Sequence, residues 1–330
     1  MRREHGVSQS ILERTHALLQ QEGLIERRER MGVFVCDHRA SKTKRSHGAI
    51  ALAGLRGWHV GTSYHLQLVA GVQDVLGPAG VNFTVINSDS AQPTAWEKVD
   101  GLLLCEPNAK DFRHIASRRP PGMACISLMV PADEFENIRS VTVADAQALR
   151  TLTEYLLSLG HHRIAYLASV SDMISQHRVL GYRQALEAAG IAPQPSWIRK
   201  LFVPDTLAEL RTTSVYQRAE RTMREWLQDG WRELGCTALL VQNDDAAAAV
   251  MDVLQENGLQ VPGDVSVAGF DGIELPAHPA LRLTTIEVPL RRIGRHAAQL
   301  LLNNIHERDA DDGMMVFPAP LRIGNTTAKV

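Results

Sequence analysis

The chain has 330 residues, 45% of them hydrophobic and 22% charged, with a formal net charge of −2. That composition is ordinary for a globular protein with one large core and one small further module. It contains no run of ~18 apolar residues, which argues against a membrane-spanning helix. The start Met1-Arg2-Arg3-Glu4-His5-Gly6 has no apolar stretch behind its charges, so the reading is a cytoplasmic protein without a secretory signal. Cys36, Cys105, Cys125 and Cys236 lie far apart, with no Cys-x-x-Cys pair, as expected for free thiols in a reducing compartment.

Charge is unevenly spread. Residues 1–47 hold ten Lys/Arg and six Asp/Glu, a balance of +4, so the remainder carries 35 − 10 = 25 basic and 37 − 6 = 31 acidic groups, or −6. A basic head on an acidic body fits a polyanionic partner at one end, although a charge run is often only a solvated face. Within the head, Ser8 is placed to cap a helix that runs to Glu22, with Leu12, Thr15, His16 and Leu19 recurring along one side. Gly23 ends that helix. Leu24–Arg28 and Val33–Val35 then read as two short strands around the turn Glu29-Arg30-Met31-Gly32. A helix followed by a two-stranded ribbon with arginines at its tip is the layout of a winged helix, with a generic helix–hairpin cap as the plainer alternative. On the first reading Gln9, Ser10 and Arg14 on the helix and Arg28 and Arg30 on the ribbon are the candidate DNA contacts. Residues 37–47 are polar, basic and aperiodic, as in a linker.

From Ala49 onward, strand and helix patterns alternate. Strands are predicted at 49–55, 81–87, 99–105, 123–128, 163–168, 238–242 and 265–270, and helices at 64–76, 144–159, 177–189 and 244–257. Such alternation implies right-handed βαβ units in parallel sheets covered by helices. The fold class is therefore α/β, with two Rossmann-like lobes. Residues 196–235 are hard to assign and contain Trp197, Trp226 and Trp231, expected to be packing residues.

In open parallel sheets, ligands bind beyond the carboxyl ends of the strands. Asn243 and Asp244 follow one strand, Asp271 follows another, and Arg178 opens a helix reached by a loop from a third. Asn, Asp and Arg together form a polyol-recognition set, because carboxylate and guanidinium forks each span two vicinal hydroxyls. By position alone, Asp244 is equally a helix cap. His161-His162 has no third ligand at metal-site spacing, and Gly54-Leu55-Arg56-Gly57 lacks the dinucleotide fingerprint. No Gly-x-Ser-x-Gly, His-Glu-x-x-His or P-loop string occurs, so neither enzyme activity, cofactor nor metal is expected.

Two resemblances sharpen this reading. Gly6-Val7-Ser8-x-Ser10, followed by Glu22-Gly23-Leu24-Ile25-Glu26-Arg27 and Gly32-Val33-Phe34-Val35, resembles the GntR-type winged helix. That module ordinarily starts with one more helix, and it places arginines where Gln9 and Glu13 stand and an apolar residue where His16 stands. The resemblance thus implies a partial head, either degenerate or preceded by an upstream start. The second covers about 280 residues. Leu159–Leu167, Arg178–Leu186, Val261–Asp271, Leu283–Ile286 and Gly294–Leu301, in that order, resemble the LacI/GalR family of regulators.

That resemblance implies a periplasmic-binding-protein-like body holding an effector, a sugar or sugar derivative, between two lobes. It implies an operator-binding homodimer, with a solute-binding or sensor protein without DNA binding as the alternative. It places Arg178 and Asp271 on the effector, with Asn243, Tyr64 and His65 as further contacts. Leu128, where an aspartate is usual, and Cys105-Glu106 depart from the pattern, which implies an unusual ligand. The expected organisation is a winged-helix segment at 1–36, a linker at 37–47 and a body at 48–330. Lobe one would comprise about 48–143 and 287–306, and lobe two about 144–286 and 307–330.

Overall fold

The computed structural model describes residues 14–16, 18–19, 25–28, 32–35, 48–53, 63–86, 98–105, 119–120, 122–132, 138–169, 173–206, 209, 212–275, 280–306 and 314–330. The chain divides into two compact units, Met1–His47 and Gly48–Val330.

In the first unit, residues 14–16 and 18–19 are helical. Strands β1 (Ile25–Arg28) and β2 (Gly32–Val35) pair antiparallel, Ile25 opposite Val35 and Arg28 opposite Gly32. Gly32, expected in the turn, therefore belongs to the second strand.

The second unit contains two six-stranded sheets. The first is built from β3 (Ala49–Ala53), β4 (Asn82–Ile86), β5 (Gly101–Cys105), β6 (Ala124–Leu128), β7 (Arg139–Val143) and β13 (Met315–Phe317), in the order β13-β7-β6-β5-β3-β4. All its pairings are parallel. The second contains β8 (Ile164–Ala168), β9 (Ile198–Lys200), β10 (Ala238–Val241), β11 (Ser266–Asp271), β12 (Thr284–Glu287) and β14 (Leu321–Arg322), ordered β14-β12-β11-β10-β8-β9. Here β14 alone runs antiparallel. The central strands β5, β8, β10 and β11 are buried along their whole length, as parallel strands covered on both faces must be.

Helices α1 (Ser63–Leu76) and α7 (Leu290–His306) cover the first sheet. Helices α2 (Asp145–Ser158) and α3 (Met173–Ala188) pair with one another beside the second sheet. Its other helices are α4 (Val215–Gln228), the short α5 (Trp231–Leu234) and α6 (Asp244–Glu256). Each lobe joins its helix pair by backbone contact at glycine. A Cβ on Gly71 would lie 2.1 Å from the Arg291 carbonyl oxygen, and one on Gly294 would lie 2.2 Å from that of Leu68. In the other lobe, a Cβ on Gly181 would meet the Ala146 oxygen at 2.0 Å. No other residue type permits these approaches without moving a helix.

The chain passes between the sheets three times, after β7, after β12 and after β13. The passing segments are stitched together: Ala144 N–H donates to the Phe317 carbonyl (3.2 Å), and Glu287 N–H donates to that of Pro320 (2.8 Å). This corrects the expectation that 307–330 lies wholly in lobe two. Met315–Phe317 adds to the edge of the first sheet beside β7, so the last crossing falls at 318–320. Three residues of strand are too short to announce which sheet they extend. Likewise Glu287, expected to open the return to lobe one, still belongs to β12.

The region 196–235 resolves into a 3-10 turn (Pro195–Trp197), β9, α4 and α5. Trp197, Trp226 and Trp231 are all buried, and the last two meet edge to face with ring centroids 4.8 Å apart. They are packing residues, as expected. His161 is also internal: its Nδ1 lies 2.8 Å from Thr237 Oγ1 and its Nε2 3.0 Å from the Ala328 carbonyl. It ties the C-terminal segment to the second sheet, and burial lowers its pKa.

Candidate functional site

Arg178 lies on α3 against the carboxyl ends of the second sheet. Its Nε donates to Asp145 Oδ1 at 2.7 Å, and its Nη1 donates to the Gln242 carbonyl at 2.8 Å. The guanidinium carbon sits 3.5 Å from the centroid of the Phe270 ring, a stacked cation–π contact. Arg178 is only 9% exposed and Asp145 only 5%. Burial alone would lower the guanidinium pKa, but the Asp145 and Asp271 carboxylates outweigh it and hold the group more firmly charged than usual.

The strand ends around it are fixed. Gln242 follows β10, and its Oε1 accepts from Ser169 N–H at 2.8 Å, closing β8 against β10. Phe270 and Asp271 end β11. Asp271 is buried and has φ 119°, outside the comfortable range of an L-residue, while its carbonyl accepts from Val288 N–H at 3.1 Å. Such strain persists only where the surroundings over-determine it, commonly at ligand-binding positions.

Asn243 caps α6, its Oδ1 accepting from Ala246 N–H at 2.9 Å. Asp244, the next residue, is fully buried and belongs to the core. Its Oδ1 accepts from Thr285 Oγ1 at 2.6 Å and its Oδ2 from Ile273 N–H at 2.8 Å. Burial pushes its carboxyl up to about 7, against the lowering effect of these hydrogen bonds. Gly269 makes room for it, since a Cβ there would lie 2.2 Å from Asp244 Oδ1.

Tyr64 and His65 occupy the first turn of α1 in lobe one, both buried, with ring centroids 5.0 Å apart. Burial raises the pKa of Asp245 at the start of α6 in lobe two, and a protonated His65 would partly oppose this. Ile174 on α3 packs against an apolar cluster of lobe one that includes Ala51, Leu102 and Ile138. The start of α3 thus touches lobe one, and His65 at the start of α1 lies near enough to Asp245 at the start of α6 to act on it. At the strand ends of lobe one, Leu128 and Cys105 are buried apolar groups, and Glu106 lies outside the described residues.

Arg178 and Asp271, nominated from strand-end position and from the resemblance, lie near enough for the carboxylate to act on the guanidinium, and His65 acts on Asp245 from the opposite lobe. Sequence reasoning missed Asp145, Gln242, Phe270 and Asp245. Asp245 had a usable signal, an acidic residue opening a helix just after a strand, the criterion that singled out Asp244; Asp145 opens a helix in the same way, but the strand before it, β7, is not among those predicted. Of the candidate DNA contacts, Arg14 is exposed and Arg28 ends β1, while Gln9, Ser10 and Arg30 lie outside the described residues. No helix among the described residues is long and apolar enough to cross a membrane, and no cluster among them is suited to a metal ion.

Comparison with known proteins agrees with this geometry. Residues 153–327 match the family model described as a periplasmic binding protein-like domain. The chain is 31% identical over 244 residues to the HTH-type transcriptional repressor PurR of Vibrio campbellii (strain ATCC BAA-1116), covering 73% of this chain and 68% of that protein. It is 32% identical over 207 residues to the HTH-type transcriptional regulator GalR of Escherichia coli (strain K12), covering 62% and 55%. Among solved structures, the transcriptional regulator CelR–cellobiose complex superposes with a TM-score of 0.74 at 22% identity, over 98% of this chain and 92% of that one, a likeness of fold. The chain belongs to the periplasmic binding protein-like family, in the form of the effector-binding domain of LacI/GalR-type transcription repressors.

Proposed function

We propose that this chain binds operator DNA through a winged helix of the GntR type in its amino-terminal unit, and that a small sugar-like effector between the lobes controls that binding. The observation that carries the reading is the buried Arg178 constellation, assembled from Asp145, Gln242, Phe270 and Asp271 at the strand ends of a chain whose relatives are repressors. A guanidinium held this firmly, beside a carboxylate on a strained backbone, is pre-organised for hydroxyl groups. Asn243, Tyr64 and His65 complete the effector contacts from two helix starts. Asn243 offers its amide nitrogen, because its oxygen caps α6.

The mechanism follows from the connections. The lobes are joined by three stitched segments at 144, 288–289 and 318–320, a natural hinge. A ligand touching both lobes stabilises the closed arrangement by its differential affinity. In a homodimer joined through the lobed bodies, closure changes the separation of the two heads, which read half-sites about one helical turn apart. Arg14, Arg28 and Arg30, with Gln9 and Ser10, supply the phosphate and base contacts.

The test is fluorescence anisotropy of a promoter fragment from the chain's own gene, run against salt. The reading requires affinity that falls steeply with salt and responds to a sugar found by thermal-shift screening. Salt-indifferent association, or sugar binding that leaves DNA affinity unchanged, contradicts it.

A further inference from the structure

Arg178 looks at first like an anchor for an anion, but its neighbours already supply the negative charge. Asp145 Oδ1 stands 2.7 Å from its Nε, with both side chains buried. Asp271 is a second carboxylate acting on the same guanidinium. Helix amino termini are the other source of positive potential at such strand ends. Helix α2 carries Asp145 in its first turn, and α6 carries Asp244 and Asp245. The first turns of α1 and α3 hold no carboxylate, and they contribute only the partial charge of a helix end. Among the described residues, Asp145 and Asp271 are thus the carboxylates that act on Arg178, with Asp245 at the start of α6 beyond them and Asp244 facing Arg322 behind the strand end.

We infer that the site at Arg178 selects against negative charge: it takes an uncharged polyhydroxyl ligand and rejects the phosphorylated or carboxylated form of the same molecule. The inference rests on reading this constellation as the effector site. A hydroxyl suits the site because it can donate to a carboxylate and accept from a guanidinium, which offers five N–H donors in all. A phosphate group accepts from Arg178, and near neutral pH it has at most one or two O–H groups to offer a carboxylate while it keeps its negative charge. It brings a charge of about −1.5 to −2 next to the buried Asp145 and Asp271 carboxylates, where like charges repel strongly. One carboxylate in that position costs a phosphate ligand on the order of tenfold to a hundredfold in affinity.

Inorganic phosphate is the first probe, measured on the full chain by titration calorimetry and thermal shift at low ionic strength. The wild-type chain and Arg178→Met are expected to respond to phosphate equally. Asp145→Asn keeps an oxygen acceptor for Nε while removing its charge. It is expected to gain saturable phosphate binding at least tenfold tighter than wild type, and the gain should vanish in Asp145→Asn/Arg178→Met. Asp271→Asn serves the same purpose should Asp145→Asn fold poorly. Arg178-dependent phosphate binding by the wild-type chain overturns the inference, as does failure of both carboxylate variants to gain it. Matched pairs (glucose with glucose 6-phosphate, ribose with ribose 5-phosphate, galactose with galacturonate) give the second measurement. An anionic member that binds wild type as tightly as its neutral partner also overturns it. A neutral sugar whose affinity is untouched by Arg178→Met instead refutes the placement of the effector site, a separate outcome.

Discussion

Replacing Arg178 by alanine removes the cation from a buried pair. Asp145, 5% exposed, would keep its carboxylate without the guanidinium at 2.7 Å. Breaking such a pair on one side costs about 3–5 kcal/mol. The Gln242 carbonyl loses its donor at 2.8 Å, about 1 kcal/mol more, and the Phe270 ring loses its stacked partner. A total near 4–6 kcal/mol is a large part of the stability of an ordinary domain. Urea unfolding of the full chain at pH 7 measures it. The same experiment on Arg178→Met/Asp145→Leu separates pairing from packing, because replacing both charges by apolar groups is often nearly neutral. The double variant is therefore expected to recover most of the loss while remaining unable to bind effector. An Arg178→Ala chain within about 1 kcal/mol of wild type would refute the buried pair. A double variant as unstable as the single one would show that the guanidinium acts through something other than Asp145.

Three further outcomes follow from local geometry. Gly294→Ala drives a methyl group into the Leu68 carbonyl, forcing α1 and α7 apart; calorimetry should show a loss of about 1–3 kcal/mol, and an unchanged transition would contradict the close crossing. Asp271→Gly and Asp271→Ala both lose the carboxylate that acts on Arg178, but only glycine relieves a backbone held at φ 119°, so the glycine variant should be the more stable of the two by about 1 kcal/mol; equal melting temperatures argue against strain. Asp244 has a folded-state pKa of about 7, above its unfolded value, so its protonated form stabilises the fold below about pH 4 and that contribution is lost as pH rises through 7. Asp244→Asn should flatten this part of the pH–stability curve between pH 4 and 8, measured by urea midpoints, and an unaltered slope would place the titration elsewhere.

How much of this was legible in the sequence varied with the physics of each element. Strands such as Leu102–Leu104 and Leu239–Val241 are continuous apolar runs because both faces are covered, and they read easily. Strand β7, Arg-Ser-Val-Thr-Val, looks polar and went unrecognised. Its Ser140 hydroxyl accepts from Ala132 N–H at 2.8 Å inside the protein, a bond made by residues eight apart. Helix α4 hides its inward face in the same way. Ala219, Thr222, Met223 and Trp226 follow helical spacing, but Thr222 is buried only because its hydroxyl also serves Phe202 N–H. The capping box Ser214 with Gln217 was a local signal for that helix start.

The site divides along similar lines. Arg178 and Asp271 could be nominated as candidates from motif and position. The roles of Asp145 and Asp244 were not, because each depends on a partner far along the chain. Asp145 is defined by Arg178, 33 residues on, and Asp244 by Thr285, 41 residues on. Position at a helix start is identical for both, and only the tertiary partner separates the carboxylate beside Arg178 from the one in the core.

Ligand-controlled DNA binding through Arg178 is tested most directly by promoter anisotropy of the wild-type chain and Arg178→Lys, each with and without the neutral sugar found by thermal shift. A lysine keeps the charge but cannot reproduce the fork that engages Asp145 and Gln242 together. The wild-type chain should change its promoter affinity at least tenfold with the sugar, and Arg178→Lys should bind the promoter but show no change. Equal responses from both chains would contradict the role given to Arg178, and no promoter binding by either would contradict the role given to the head.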